Sequence, residues 1–261
     1  MNEVNKTLYI PLFGKSYVSK KGIILEDKKA EKIWESEGFA LRGKSKSKWL
    51  AYYMGMRARV FDDWTRDRLL EHPTATVLHI GCGLDSRVER VGGAHRWYDI
   101  DFVDVIRERR KYYTDSERYI MLPGDARETN TLDSVVGDVA IVIMEGVSMY
   151  LTYDELSSLF SNILGHFSRV YLLMDCYTTF AAKMSKIKNP INDVGVTQVY
   201  GMDEPRSLTI TGMEYLRELD MTPISLINEL TGAERAIFKT LYGGGASKKL
   251  YRLYEYQKVK G

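Results

Sequence analysis

The stretch Thr76–Asp101, TVLHIGCGLDSRVERVGGAHRWYDID, constrains the fold of this chain more than any other. Thr76 to Ile80 read as a buried strand, Gly81 and Gly83 as a turn, the residues from about Ser86 as a short helix, and the segment ending at Asp99 and Asp101 as a second strand. That is one βαβ unit, which commits the chain to parallel strands joined by crossover helices. Each part has a chemical use. The glycines let a ligand approach the backbone, the helix start offers N–H groups, and a carboxylate at the tip of the next strand can accept hydrogen bonds from a ribose diol.

The same alternation continues downstream. Ile120–Leu122, Val139–Met144 and Val170–Met174 read as strands, the second as a continuous apolar run suited to a central parallel strand buried on both faces. Phe102–Tyr113 and Tyr153–Phe167 read as the helices between them, the latter with Thr152 or Asp154 at its start. The first seventy residues read as helical, with segments at Lys28–Phe39 and Trp49–Leu70. Towards the C-terminus the pattern predicts a helix at Gly212–Leu219, a strand at Thr222–Ile227, a helix at Ala233–Leu241 and a last strand at Leu250–Val259. Between positions 178 and 211 periodicity fades among Asn189, Pro190, Gly195, Gly201 and Pro205, and a stretch of that length is expected to be a functional lid. The expected architecture is α/β: an N-terminal helical cap (1–70), then an open, mostly parallel sheet with helices on both faces (71–261), interrupted by the lid (178–211).

Composition removes several alternatives. With 261 residues, 44% hydrophobic and 28% charged, the chain can bury an ample α/β core, and its net charge of +2 is far from that of a dedicated nucleic-acid binder. Lys44, Lys46 and Lys48 alternate with serines and are read as a solvated loop. Cys82 and Cys176 fall in segments expected to be buried and lack CxxC spacing, so neither a disulfide scaffold nor a metal site is suggested. The start, MNEVNKTLYIPLFGK, lacks the apolar run of a signal peptide, and no segment is apolar for the length of a membrane span. A cytoplasmic protein with no membrane or nucleic-acid partner is expected.

The ligand follows from what the loop lacks. In GCGLDS, Ser86 stands where a dinucleotide fingerprint needs its third glycine, and Asp85 would repel a pyrophosphate. NAD is therefore disfavoured, and a ligand carrying an ammonium or sulfonium fits better. At this point five ordered motifs, MGMRARVFDD, VLHIGCGLDSR, WYDIDFVDVI, GDARE and IMEGVSMYLTYDEL, resemble the leucine carboxyl methyltransferase family and its bacterial polyketide O-methyltransferase members, over roughly Tyr52 to Phe167. The resemblance implies a class I fold with a seven-stranded, Rossmann-like sheet, S-adenosyl-L-methionine as cofactor, and methyl transfer to the oxygen of a small-molecule acceptor. It also implies site roles. Gly81, Cys82 and Gly83 would approach the methionyl part, Asp101 the ribose hydroxyls, Asp125 and the Ala126 backbone the adenine, Arg57 the cofactor carboxylate, and Glu145 the methionyl ammonium or sulfonium.

The residues themselves leave alternatives open. Arg59 shares the segment of Arg57 and could take its role; Arg87 is either a helix-surface residue or a partner for a carboxylate at the site. Asp99 and Asp101 are expected on opposite faces of their strand, so that only Asp101 meets the ribose. His79 is expected to be a satisfied core histidine and Cys82 a small buried filler. Trp49, Tyr52, Tyr53 and Trp64 of the cap, with Tyr177, Phe180 and Tyr200 of the lid, either stack on a planar substrate or simply pack. No histidine stands out as a base, so no catalytic residue is assigned, and this favours an acceptor that is already ionised, a carboxylate with a pKa of about 4, over a phenol at about 10. A protein C-terminal tail is the alternative acceptor, and a non-catalytic S-adenosylmethionine binder the alternative class.

Overall fold

The computed structural model describes residues 8–38, 41, 43–93, 95–185 and 199–258. Three helices come first: α1 (Tyr9–Lys20), α2 (Lys28–Glu37) and α3 (Lys48–Glu71). Asp27 caps α2 by accepting from the Ala30 N–H at 2.8 Å, and Gly38 ends it in the left-handed region at φ 59°. Ser47 caps α3. Pro11 sits in the first turn of α1, where a missing N–H costs no intrahelical bond. Phe39, expected at the end of α2, lies outside the described residues.

The core then alternates as the sequence predicts: β1 (Thr76–Ile80), α4 (Arg87–Val91), β2 (Arg96–Asp101), α5 (Val103–Arg109), β3 (Tyr119–Pro123), β4 (Val139–Met144), α6 (Tyr153–His166) and β5 (Arg169–Tyr177). Helix α5 stops at Arg109, a turn short of the expected Tyr113. Helix α6 begins with a full capping box, in which the Glu155 N–H donates to Thr152 Oγ1 at 3.2 Å and the Thr152 N–H to Glu155 Oε2 at 2.8 Å.

Two C-terminal expectations are reversed. Glu214–Leu219, expected within a helix, is strand β6, and Thr222–Ile227, expected as a strand, holds the short helix α8 (Ile224–Ile227). The segment EYLREL is rich in good helix formers, but pairing overrides propensity: Tyr215 meets Tyr256 and Leu219 meets Leu253 along an antiparallel edge. Helices α9 (Gly232–Tyr242) and α10 (Gly245–Lys248) separate it from β7 (Tyr251–Lys258), so the triple glycine makes no hairpin. The sheet order is β3-β2-β1-β4-β5-β7-β6, with β1 to β5 parallel and β7 antiparallel to both neighbours. Chain order reverses between β1 and β4, which opens a crevice beyond their carboxyl ends. Of the stretch expected as a lid, the described parts are α7 (Thr179–Ser185) and 199–211, which is tied down by Tyr200 N–H to Met149 O and Met202 N–H to Tyr177 O, both 2.7 Å. Residues 186–198 lie outside the described residues. No described helix is long and apolar enough to cross a membrane.

One face of the sheet is covered by α3 and α9, with Tyr52, Phe61, Val77, Ile141, Leu173 and Phe238 in one apolar cluster; α6 covers the other through Phe160 and Ile163. Helix α1 lies directly on α3 because glycines face each other's helix. A Cβ on Gly14 would stand 2.7 Å from Met54 Cβ, and one on Gly55 would stand 2.8 Å from Val18 Cγ2. The contact leaves no room for a side chain, so Gly14→Val should lower unfolding free energy by about 1–3 kcal/mol through overpacking. Thermal unfolding checks this; an unchanged melting temperature would mean that the two helices are free to separate.

Candidate active site

A cavity of about 350 Å³ lies in the crevice at the carboxyl ends of β1, β2 and β4. Its lining includes Arg57, Gly81, Cys82, Gly83, Asp101, Asp125, Ala126 and Glu145, the residues that the resemblance assigned to the cofactor, so these reach one space. Its roof is α1, through Leu8, Pro11, Leu12 and Lys15. The floor is the glycine turn. Gly81 (φ 67°) and Gly83 (φ 52°) are left-handed, and a Cβ on Gly81 would stand 2.2 Å from Val147 Cγ2.

Asp101 fastens this turn to the next strand: its Oδ2 accepts from the Gly83 N–H and its Oδ1 from the Phe102 N–H, both at 2.8 Å. Burial raises its carboxyl to about 6, against the pull of those two backbone bonds. Asp99 is not on the opposite face, as expected; residues two apart in a strand share a face. What separates the pair is depth. Asp99 is fully buried behind Asp101 and bonds His79 Nδ1 at 3.1 Å, Trp97 Nε1 at 2.8 Å, Tyr119 at 2.7 Å and Arg109.

The wall opposite is a chain of buried charges. Arg57 donates through Nε to Glu145 Oε1 at 3.1 Å and through Nη1 to Asp175 Oδ2 at 2.7 Å. Arg87 is fully buried, not a helix-surface residue, and bonds Glu145 Oε2 and, at 2.7 Å, Asp62. Asp85, read from the sequence as open to a cationic ligand, already pairs with Lys15 at 2.9 Å and Arg90 at 2.8 Å. Arg90 continues to Asp62 and Asp27, each at 2.6 Å. Burial opposes ionisation of Glu145, but Arg57, Arg87 and Lys15 outweigh it and hold its carboxyl at about 2. Burial opposes ionisation of Asp85 too, and Arg90 and Lys15 hold it well below the carboxylate range. Arg59 lies apart, half-exposed, with Asp63 at 2.8 Å and the Ile24 carbonyl at 3.0 Å; it does not line the cavity.

His79 reaches the cavity with both nitrogens engaged, Nδ1 by Asp99 and Nε2 by Arg87 Nη1 at 3.2 Å. Burial pushes it below its ordinary value, so it is neutral, donates to Asp99 and accepts from Arg87. Burial pushes the Cys82 thiol well up. Asp125 accepts from Arg127 Nε at 2.8 Å, and the same guanidinium reaches Glu155 at the start of α6.

Sequence reasoning missed Lys15 and Tyr251, which line the cavity, and Asp175 as the second partner of Arg57. For Lys15 a signal existed: Leu8, Leu12 and Lys15 share a helical face, and a lysine on an apolar face needs a partner. None of the described residues of 178–211 lines this cavity; Tyr200, Asp203 and Glu204 instead border a second one of about 340 Å³. The cap aromatics pack rather than face a ligand. Tyr52 and Tyr53 are buried, Trp49 meets Tyr52 edge-on at 6.2 Å, and the Trp64 indole donates to Glu255 at 2.8 Å.

The family model of leucine carboxyl methyltransferase matches residues 7–164. The chain belongs to the leucine carboxyl methyltransferase family. It is 30% identical over 170 residues to the tetracenomycin polyketide synthesis O-methyltransferase of Streptomyces glaucescens, a match covering 63% of each chain. It is also 30% identical over 191 residues to an S-adenosyl-L-methionine-dependent methyltransferase of Gibberella zeae, covering 66% of this chain and 64% of that one. The chain thus spans somewhat under two thirds of the length of these curated relatives. Among solved structures it resembles a DUF574 family protein of Streptomyces avermitilis (TM-score 0.60, 10% identity, 89% and 90% of the two chains). It also resembles a magnesium protoporphyrin IX methyltransferase of Synechocystis with bound SAH (TM-score 0.50, 13% identity, 88% and 93%). At such identity these likenesses establish the fold, the class I S-adenosylmethionine-dependent methyltransferase fold, with its mostly parallel seven-stranded sheet.

Two expected outcomes follow for this family member. Asp101 has a folded-state value of about 6 against an ordinary 3.8, so folding prefers its protonated form; its contribution is favourable below about pH 4 and is lost as pH rises through 6. Asp101→Asn loses one of the two backbone bonds at every pH, because its amide nitrogen cannot accept, but its stability relative to wild type should shift in the mutant's favour by on the order of 2 kcal/mol between pH 4 and pH 8. Urea unfolding at both pH values measures the shift, and a difference that does not change with pH would contradict the assignment. Arg57→Ala strands Glu145 and Asp175 in the interior and should cost about 3–5 kcal/mol, whereas Arg59→Ala breaks a half-exposed pair and should cost under about 1 kcal/mol. Equal costs in the same assay would show that the buried network is not what holds α3 to the sheet.

Proposed function

We propose that this protein is an S-adenosylmethionine-dependent O-methyltransferase that esterifies the carboxylate of a small molecule. The observation that carries this reading is the single cavity in which the glycine turn, Asp101, Asp125 and the Arg57–Glu145 pair meet. Two features of the wall suit this cofactor. Gly146 leaves one side of Arg57 open, since a Cβ there would stand 3.5 Å from both Nη atoms. Lys15, Arg57, Arg87 and Arg90 face Asp27, Asp62, Asp85, Glu145 and Asp175, leaving one carboxylate in excess, which favours a ligand of net positive charge.

In this reading Asp101 accepts from the ribose hydroxyls, and Asp125 with the Ala126 backbone borders the adenine. Arg57 and Lys15 offer their remaining N–H groups to the methionyl carboxylate, and Glu145 faces the methionyl ammonium. Bound there, the cofactor supplies an electrophilic methyl on sulfur. The chain supplies position and a water-poor, charged wall. The relative from Streptomyces glaucescens, named for polyketide synthesis, supports a small-molecule acceptor.

A carboxylate acceptor is supported by the engagement of the candidate bases at the methionyl end of the described cavity wall. The His79 lone pair is taken by Arg87, and Glu145 and Asp85 are held low by their arginine and lysine partners. An acceptor with a pKa of about 4 needs no base, while a phenol at about 10 does. Methyl transfer at saturating cofactor should therefore be flat within about twofold between pH 7 and 9. A rate rising about tenfold per pH unit across that range would instead indicate ionisation of a phenolic acceptor. Steady-state release of S-adenosylhomocysteine over panels of acids and phenols distinguishes the two, and calorimetry showing no S-adenosylmethionine binding would remove the reading altogether.

A further inference from the structure

The cavity has two ends of different origin. Arg57, Gly81, Asp101, Asp125 and Glu145 all fall inside the family-matched segment 7–164, whereas Tyr251, at the start of β7, comes from outside it. Among the described residues it is the one lining position beyond Leu159. Sheet register sets it opposite Tyr177, the last residue of β5, with the rings edge-on at 4.5 Å and 83° and their hydroxyls hydrogen-bonded. Tyr251 lines the cavity together with Arg57, the residue proposed for the methionyl carboxylate, and so stands at the end where an acceptor must approach.

An acceptor carboxylate entering that end brings two oxygens out of water. One attacks the methyl; the other needs a donor, or its desolvation is uncompensated. The cations of the wall are matched in charge, Lys15 by Asp85, Arg57 by Glu145 and Asp175, and Arg127 by Asp125 and Glu155, and the N–H groups that Lys15 and Arg57 have left are the ones proposed above for the methionyl carboxylate. A neutral donor has a further advantage: it orients the carboxylate without neutralising the charge that makes it nucleophilic. Burial pushes the Tyr251 phenol well above its ordinary value, so it keeps its proton. The bond to Tyr177 raises the Tyr251 phenol, so Tyr251 is its donor in the ligand-free protein; both hydroxyls rotate, and an arriving carboxylate can take the Tyr251 proton while the Tyr177 hydroxyl donates back to Tyr251.

We propose that Tyr251 binds the methyl acceptor, its O–H donating to the non-reacting carboxylate oxygen and so aiming the other oxygen at the methyl group. This rests on the carboxylate methyltransferase reading above. In the transfer the acceptor oxygen's lone pair forms the new O–C bond, the C–S bond breaks with its pair remaining on sulfur, and Tyr251 keeps its proton throughout. Acceptor choice is then set by the C-terminal third of the chain, and cofactor binding by the family-matched part.

The test compares wild-type protein, Tyr251→Phe and Tyr177→Phe. Each is checked for an intact melting transition, then assayed with S-adenosylmethionine over aryl and alkyl carboxylic acids, including benzoic, salicylic, 2-naphthoic and decanoic acids, and the matching phenols. Tyr251→Phe should raise KM for the acids about tenfold or more, with kcat within about threefold and S-adenosylmethionine Kd within about twofold. Tyr177→Phe, which leaves the Tyr251 proton in place, should change KM by no more than about twofold. An unchanged acceptor KM in Tyr251→Phe overturns the assignment while leaving the carboxylate reading intact. A loss of cofactor affinity as large as the KM change would move Tyr251 to the methionyl carboxylate and overturn it too. Transfer by the wild type to phenols but to none of the acids overturns the carboxylate reading, and this inference with it.

Discussion

The rest of the structure hangs on the buried ion pair between Arg57 and Glu145. Arg57 comes from α3, Glu145 from the end of β4, and Asp175, the second carboxylate on the same guanidinium, from β5. Through Arg87, Asp62, Asp85, Arg90 and Lys15 the network reaches α4, α3 again, the glycine turn and α1. Ions this deep are individually costly to desolvate and are tolerated only because each one meets several partners. The network therefore does more for geometry than for net stability: it admits one placement of the helical cap on the sheet. It also leaves an excess of negative charge beside the cavity.

The cap serves the site in a second way. Because Gly14 and Gly55 let α1 and α3 touch backbone to backbone, α1 forms a fixed roof over the crevice rather than a detached lid. Leu8, Leu12 and Lys15 then complete a cavity that the sheet alone would leave open. The floor is built from the opposite economy of space, with Gly81 tight against Val147 and Gly83 tied to Asp101. Roof, floor and charged wall come from three distant parts of the chain, and each is positioned by close packing or by a buried bond.

The cavity wall is divided between the two halves of the sheet. The residues proposed to face the cofactor sit on the parallel half of the sheet, most of them at strand ends whose positions are dictated by register. Tyr251 sits on the antiparallel strand inserted between β5 and β6.

The sequence by itself determined the βαβ core, the positions of β1 and β4, the capped start of α6, and the residues at the strand tips, because apolar periodicity, glycine and capping chemistry are local signals. Five ordered motifs supplied the family, and the eight residues that the resemblance assigned to the cofactor line one cavity. Tertiary structure decided the rest. EYLREL became a strand because an unpaired edge of β7 was available, a fact that no helix propensity contains. Arg57 and Arg59 point to nearly opposite sides of α3, and which faces inward depended on the side that α3 packs against the sheet; the sharing of a face by Asp99 and Asp101 was a matter of strand period, and their different depths a matter of packing. Lys15 and Tyr251 joined the site from positions 236 residues apart, since contacts between remote segments are set by burial and register in the folded sheet rather than by anything the neighbouring residues express.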